Sequence, residues 1–124
     1  MKCVRVNIDN FDEETRKAVE TKQPVFVLFF GTEDPETSES WCPDCVIADP
    51  RIRKAVSTVE NSILLEAPVG GRNDWKGNAD HPYRVRFNVP AIPTLFKWTA
   101  AGPGDKLVEE ECADDDKLYK FVSV

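Results

Sequence analysis

The sequence is short of positive charge and has no long hydrophobic segment, and both shortages exclude classes of protein. Its 16 Lys and Arg face 22 Asp and Glu, which gives a net charge of −6 at pH 7. Binding to nucleic acid or to an anionic membrane needs basic patches, which this composition disfavours. No apolar stretch approaches the roughly 20 residues that cross a bilayer. We therefore expect no nucleic-acid partner and no membrane partner.

The start of the sequence also lacks a targeting signal. Residues 1–12 contain neither the apolar run of a signal peptide nor the basic amphipathic pattern of a transit peptide. We therefore expect a cytoplasmic protein, and structural disulfides are rare in that compartment. Two of the 4 cysteines form a Cys-x-x-Cys motif, which in the cytoplasm indicates redox chemistry or metal binding.

The pattern of apolar residues predicts an α/β protein. The chain has 124 residues, of which 41% are hydrophobic, so we expect one domain spanning residues 1–124 and acting as a monomer. Val25–Phe30 is continuously apolar, as strands buried on both faces are. The predicted order β-α-β-α-β-α-β-β-α fits a central mixed sheet flanked by helices on both faces.

Shorter signals predict where individual elements begin and end. Alternation over Val4–Ile8 predicts the first strand. Asn10 followed by Glu13 predicts a capping box at the start of the first helix. Strands over residues 94–98 and 106–110, joined by a glycine-rich turn, predict a hairpin.

The run Cys42-Pro43-Asp44-Cys45 lies where the loop after the buried strand feeds a predicted helix. Cysteines three positions apart in a first helical turn share a face and are close enough to bridge. The helix N-terminus stabilises a thiolate at Cys42, and Pro43 suits the first helical position. This placement predicts Cys42 as the nucleophile that attacks a disulfide and Cys45 as the thiol that resolves the mixed disulfide.

Asp44 has two opposing effects on this pair. Its negative charge suits a helix start but disfavours the neighbouring thiolate. We hypothesise that Asp44 makes the pair a reductant of restricted substrate range. The alternative for a lone Cys-x-x-Cys is half of a zinc site, but zinc needs four ligands and the other candidates, Cys3, Cys112 and His81, are scattered. We therefore expect no metal.

A second motif, Ile92-Pro93-Thr94, precedes a predicted strand. An X-Pro bond in a tight turn can be cis. A cis bond here would turn the backbone of Ile92 towards the cysteines, free to pair with an extended substrate. Trp41 borders the first cysteine in the sequence. We therefore expect Trp41 and Ile92 to contact substrate.

Together these motifs resemble the thioredoxin superfamily. More closely, the chain is similar to the thioredoxin-related 14-kDa protein family, also called the thioredoxin domain-containing protein 17 family. The residues that carry the resemblance are Trp41–Cys45 with the long loop before it, Pro50, the run Val89–Leu95, Val69-Gly70 followed by Trp75-Lys76, and Leu107-Val108-Glu109.

The resemblance implies a thioredoxin-like fold and a cytosolic disulfide reductase in which Pro93 is a cis-proline that helps hold the substrate. It implies no bound cofactor, because thioredoxin reductase with NADPH would reduce the Cys42–Cys45 disulfide. The implied substrates are small disulfides such as cystine, nitrosothiols and oxidised protein cysteines. Ordinary thioredoxins carry a buried acid on the preceding strand, thought to accept the resolving thiol's proton. Here Leu28 occupies that place, and Asp44 is the nearest carboxylate in sequence.

Two other functions stay open on the sequence alone. One is a binding or regulatory module of thioredoxin fold whose thiols do not turn over, although such a module has little need of both cysteines. The other is glutaredoxin-like use of glutathione, for which no obvious site is visible. We expect Cys3 and Cys112 to be inert rather than regulatory, His81 to cap a helix or to be solvated, and Trp75 to pack its loop.

Overall fold

The computed structural model describes residues 1–123 as a five-stranded mixed sheet with helices on both faces, which confirms the predicted fold class. The strand order is β1-β3-β2-β4-β5; β1, β3 and β2 run parallel, whereas β4 and β5 pair antiparallel. In chain order the elements are β1 (Lys2–Arg5), α1 (Phe11–Glu20), β2 (Val25–Phe30), α2 (Pro43–Ser57), β3 (Ile63–Pro68), α3 (Arg72–Trp75), α4 (Pro82–Phe87), β4 (Thr94–Thr99), β5 (Gly102–Val108), a 3-10 helix (Glu109–Ala113) and α5 (Asp115–Val122).

Strand β2 forms the centre of the sheet, as its apolar run predicts. All six residues are buried, and the strand pairs with β3 on one side and β4 on the other. Phe29 packs on an aromatic cluster, with ring centroids 5.9 Å from Phe11 and 4.9 Å from Tyr83. This packing fixes the carboxyl end of β2, from which the chain enters the loop that leads to the cysteines.

Helix α2 begins with the cysteine motif and buries its apolar side. Its buried residues are Cys45, Ala48, Ile52, Ala55 and Val56. The helix continues through Pro50, although proline lacks the N–H that an interior position normally donates. Among the helices of residues 1–123, none is long and apolar enough to cross a membrane.

Near the amino terminus, two predicted features differ from the structure. The first strand is Lys2–Arg5 rather than Val4–Ile8, because pairing with β3 ends where Arg5 lies opposite Glu66. The capping box at α1 does not form. The Asn10 side chain accepts a hydrogen bond from the backbone N–H of Asn7 at 2.8 Å instead of capping the helix.

The second hairpin strand also differs from its predicted range. It begins at Gly102, so the turn is shorter than expected, and it ends at Val108, after which the chain enters the 3-10 helix. The Glu111 carboxylate accepts the Val108 N–H at 3.0 Å. Glu109 adopts a positive φ of 52°, and this local turn ends the strand.

Candidate functional site

The two cysteines of the motif occupy the first turn of α2, as predicted. Cys42 is the N-cap, with φ −92° and ψ 112°, and Pro43 takes the first helical position. The Cys42 carbonyl accepts hydrogen bonds from the N–H groups of Cys45 and Val46 at 3.0 and 3.1 Å. Both cysteines are free thiols, and their exposed fractions are 7% for Cys42 and 3% for Cys45.

The surroundings of Cys42 favour its thiolate and lower its pKa to about 6. The largest cause is the hydrogen bond from the Cys45 thiol, and the backbone N–H groups of Cys45 and Asp44 act in the same direction. Burial and the negative charge of Asp44 oppose them. The Asp44 carboxylate therefore destabilises the thiolate, as predicted, and the backbone N–H of Asp44 stabilises it.

Cys45 has the opposite character, because its pKa is raised well above that of an ordinary thiol. The hydrogen bond to Cys42 is the largest cause, and burial adds to it. The backbone N–H of Gly31 and the hydroxyl of Ser40 act in the other direction. The pair therefore holds one ionised and one protonated sulfur near neutral pH.

Cys42 opens into a cleft of about 400 Å³ between the start of α2, the end of α3 and the segment before β4. The Ile92–Pro93 peptide bond is cis, as predicted. The Cys42 thiol lies 3.9 Å from the carbonyl oxygen of Ile92. Trp41 and Ile92 both line this cleft, whereas Pro93 is not among the lining residues.

Aromatic and arginine side chains hold the walls of this cleft in place. The guanidinium of Arg84 lies 3.7 Å from the centroid of the Trp75 ring. It also donates hydrogen bonds to the carbonyls of Pro90 at 2.9 Å and Trp75 at 3.1 Å. On the other wall, the Trp41 indole N–H donates to the carbonyl of Gly70 at 2.8 Å. Trp75, at 3% exposure, therefore both packs its loop and shapes the cleft.

Comparison with known proteins places this geometry in a family. The family model described as "Thioredoxin domain-containing protein 17-like, thioredoxin domain" matches residues 5–123. The chain belongs to this family. It is 39% identical to mouse thioredoxin domain-containing protein 17, over 90% of this chain and 89% of that protein. It is 36% identical to the human protein of the same name, over 86% of this chain and 85% of that protein.

Solved structures agree on the fold. Thioredoxin F from spinach chloroplast superimposes with a TM-score of 0.68 at 19% identity, covering 98% of this chain and 84% of that one. At that identity the likeness establishes the thioredoxin fold alone. For a member of the thioredoxin domain-containing protein 17-like family, the adjacent pair Cys42 and Cys45 is consistent with a thiol redox role.

Sequence reasoning missed a second cleft, of about 300 Å³, that reaches Cys45 from the other side of the helix start. Ser40 lies in its wall, and the Ser40 hydroxyl accepts the backbone N–H of Cys42 at 3.1 Å. Gly31 packs so closely that a Cβ there would lie 2.8 Å from this hydroxyl oxygen. The available signal was the serine two residues before Cys42, a spacing typical of side-chain-to-backbone turns.

Leu28, on the strand before the cysteine loop, is 1% exposed. Its parallel neighbour on β3 is Glu66, whose carboxylate lies 2.6 Å from Arg53 and 3.3 Å from Arg5. Asp44, the nearest carboxylate in sequence, lines the Cys42 cleft and not the Cys45 cleft.

The remaining candidate residues have structural partners. His81 caps α4: its Nδ1 accepts the Tyr83 N–H at 3.1 Å, and its Nε2 lies 2.7 Å from the Val69 carbonyl oxygen. Cys112 is fully buried, and burial raises its pKa to about 12. Cys3 is exposed, with its sulfur 3.8 Å from Arg53. The helix-cap prediction for His81 is confirmed, and Cys112 has the buried setting expected of an inert thiol.

Proposed function

We propose that this protein is a thiol–disulfide oxidoreductase that reduces small or protein disulfides with the Cys42–Cys45 dithiol. The observation that carries the proposal is the asymmetry of the pair. One sulfur is ionised and opens into a cleft, and its neighbour is protonated and within hydrogen-bonding reach. A thiolate is the nucleophile in disulfide exchange, and a thiol with a pKa near the ambient pH is the best attacking group.

The reaction runs in two displacements. The Cys42 thiolate attacks one sulfur of the substrate disulfide, forms a mixed disulfide, and releases the other sulfur as a thiolate that takes up a proton. Cys45 then loses its proton and attacks the Cys42 sulfur, which releases the second substrate thiol and leaves the Cys42–Cys45 disulfide. Trp41, Ile92 and Pro93 are the proposed substrate-binding residues, and Pro43 and Asp44 tune the pair.

Turnover requires an external reductant for the Cys42–Cys45 disulfide. We propose thioredoxin reductase or an equivalent system, with NADPH as the indirect electron source and no cofactor bound to this chain. We also propose that the protein acts in the cytoplasm as a monomeric single domain. A metal role for the pair has little support, because both ring nitrogens of His81 have the backbone partners described above. The buried thiol of Cys112 lies 3.3 Å from the carbonyl oxygen of Leu107.

The second candidate function is a binding or regulatory module that does not turn over. Its support is the cleft beside Cys42, where an extended peptide could lie. Against it, a non-catalytic module has no need of a lowered pKa at one cysteine and a raised pKa at the other.

A coupled assay separates the two candidates. We would measure NADPH oxidation with thioredoxin reductase and a panel of disulfides including cystine and insulin, and run a parallel series with glutathione. The oxidoreductase proposal predicts turnover that depends on both cysteines. Binding of a peptide without any NADPH oxidation, under conditions where the pair is shown to be reduced, would favour the binding module instead.

A further inference from the structure

Among the described residues that line the Cys45 cleft, no carboxylate is buried, yet the resolving thiol must lose a proton before it can attack. Leu28 on β2 is buried and apolar, and Asp44 lies in the other cleft. Cys45 is nevertheless not sealed, because it forms part of the wall of its own cleft. What surrounds that cleft therefore determines where the proton can go.

Ser40 lies in the wall of the Cys45 cleft. Its oxygen accepts the Cys42 N–H at 3.1 Å, so the single proton of the hydroxyl is left to donate elsewhere. The hydroxyl favours the ionised form of Cys45, as does the N–H of Gly31. The Ser40 hydroxyl and the Gly31 N–H are thus two donors that can stabilise the negative charge that develops on the Cys45 sulfur.

Asp49 stands one helical turn further along α2. Residues four apart on a helix are neighbours, with Cβ atoms about 5–6 Å apart, so Asp49 lies on the Cys45 side of the helix. Arg53 lies one further turn along, with its Nε 2.9 Å from the Asp49 carboxylate. The Asp49 side chain remains 40% exposed. Both residues line the cleft.

The other charged groups that face the cleft are Glu33 and Glu39. Glu33 is tied to Arg5 at 2.7 Å. Glu39 belongs to the loop between β2 and α2 rather than to the helix. The cleft, at about 300 Å³, is polar and far larger than the roughly 30 Å³ that one water occupies in the liquid. Water can therefore connect Cys45 to a carboxylate at the rim.

We propose that the Cys45 cleft is the exit route for the resolving thiol's proton, with Ser40 stabilising the Cys45 thiolate and Asp49 accepting the proton through water. This inference rests on the proposed function. The S–H bond of Cys45 breaks, its proton passes through water to the Asp49 carboxylate, and its electron pair stays on sulfur. That pair forms the bond to the Cys42 sulfur as the substrate thiolate leaves.

The test separates the two displacements by using dithiodipyridine, a neutral disulfide that releases one coloured thiopyridone at each step. The reduced protein is mixed with the reagent in a stopped-flow instrument. The protein and all variants carry Cys3→Ser as well, because Cys3 is exposed and would release thiopyridone of its own. The first release then reports attack by Cys42 and serves as an internal check that each variant is folded. The second release reports resolution by Cys45.

The variants are Asp49→Asn, Ser40→Ala, the rescue Asp49→Glu, and Glu39→Gln as the matched charge control. We expect Asp49→Asn and Ser40→Ala each to slow the second release by about tenfold or more, because loss of a general base or of a bond to a charge has effects of at least that size. The first release should be nearly unchanged in Asp49→Asn. Ser40→Ala also removes the acceptor of the Cys42 N–H, so its second release is compared with its own first release. Asp49→Glu should restore the rate and its pH profile, and Glu39→Gln should leave both unchanged.

A second release in Asp49→Asn within about twofold of the unmodified protein would overturn the inference, since general-base roles exceed that. So would an equal slowing in Glu39→Gln, which would indicate a general charge effect. Failure of the proposed function looks different: the unmodified protein would then release no thiopyridone from Cys42, or only the first equivalent.

Discussion

The two clefts beside the cysteine pair differ in what forms them. The Cys42 cleft is bounded by Trp41, Trp75 and the segment before β4, with arginine and backbone bonds bracing its walls. The Cys45 cleft is lined by three carboxylates, one arginine, two serines and three apolar residues. The first cleft combines aromatic and backbone groups of the kind that bind a substrate with charged side chains of both signs. The second offers groups that move protons and hold charge.

This difference shows how two chemically identical thiols acquire different tasks. Cys42 receives N–H groups of the helix start and the Cys45 thiol as donors, so its charge is stabilised where substrate can arrive. Cys45 donates to that charge and stays protonated until Cys42 is consumed in a mixed disulfide. Once Cys42 carries substrate, that donor role ends, and the polar cleft behind Cys45 can take over.

The largest expected effect is that of removing each sulfur in turn. Cys42→Ser should abolish disulfide reduction, because no thiolate then faces the substrate cleft. In the Cys45→Ser variant, Cys42 should still attack the substrate disulfide. The mixed disulfide should then accumulate, and mass spectrometry of the intact protein would detect it. If Cys45→Ser turned over a disulfide substrate as fast as the unmodified protein, the division of roles between the two cysteines would be wrong.

A methyl group at Gly31 should disturb both clefts through packing. The Cβ of Gly31→Ala would lie 2.7 Å from Trp41 Cε2 and 2.8 Å from Ser40 Oγ. We expect the free energy of unfolding to fall by about 1–3 kcal/mol, as overpacking does, measured by denaturant titration. Gly71→Ala is the control, because its nearest contact is at 3.6 Å; equal losses in both variants would contradict the packing argument.

Loss of Arg84 should weaken only the Cys42 cleft. Arg84→Gln removes the stacking on Trp75 and two backbone hydrogen bonds, and we expect a loss of about 2 kcal/mol in unfolding free energy. Arg51→Gln, which breaks an exposed ion pair with Asp115, should cost less than about 1 kcal/mol. A slower first release of thiopyridone with an unchanged second release would place the damage in the Cys42 cleft.

The smallest effect should come from the charge of Asp44. Because this carboxylate raises the pKa of Cys42, Asp44→Asn should lower that pKa further, by less than about one unit for an exposed charge. In the pH profile of Cys42 alkylation by iodoacetamide, the increase in rate would then occur at a lower pH than in the unmodified protein. Glu36→Gln, an exposed loop variant, is the control. An unchanged redox potential and substrate preference in Asp44→Asn would remove the hypothesis that Asp44 restricts the substrate range.

Local sequence patterns predicted most of the fold and one side of the site. The apolar run Val25–Phe30 and the helix from Pro43 each depend on residues adjacent in sequence. The cis bond before Pro93 was expected from the family resemblance. One error arose where a distant partner decides where a strand ends, and the other where a competing local hydrogen bond forms. Pairing with β3 ends β1 at Arg5, and a local bond to Asn7 removes Asn10 from its predicted cap.

Local sequence patterns could not predict the Cys45 cleft, because residues from separate elements of the chain form it. Ser40 comes from the loop and Gly31 from the end of β2, and only the folded chain brings them to Cys45. Asp49 lies four residues after Cys45 in the sequence. The predicted proton acceptor was Asp44, because it is the carboxylate nearest to Cys45 in sequence. Helical geometry turns Asp44 towards the Cys42 cleft and Asp49 towards the Cys45 cleft.

The asymmetry of the two sulfurs is tested most directly by titrating the thiolates of the reduced protein by ultraviolet absorbance. The exposed Cys3 is replaced by serine throughout, and the Cys42→Ser and Cys45→Ser variants serve as references. We predict one thiolate appearing at a pH of about 6, lost in Cys42→Ser, and no ionisation of Cys45 until the pH is far above the ordinary thiol range. Two thiolates that appear together near the ordinary pKa of cysteine, about 8.5, would contradict it.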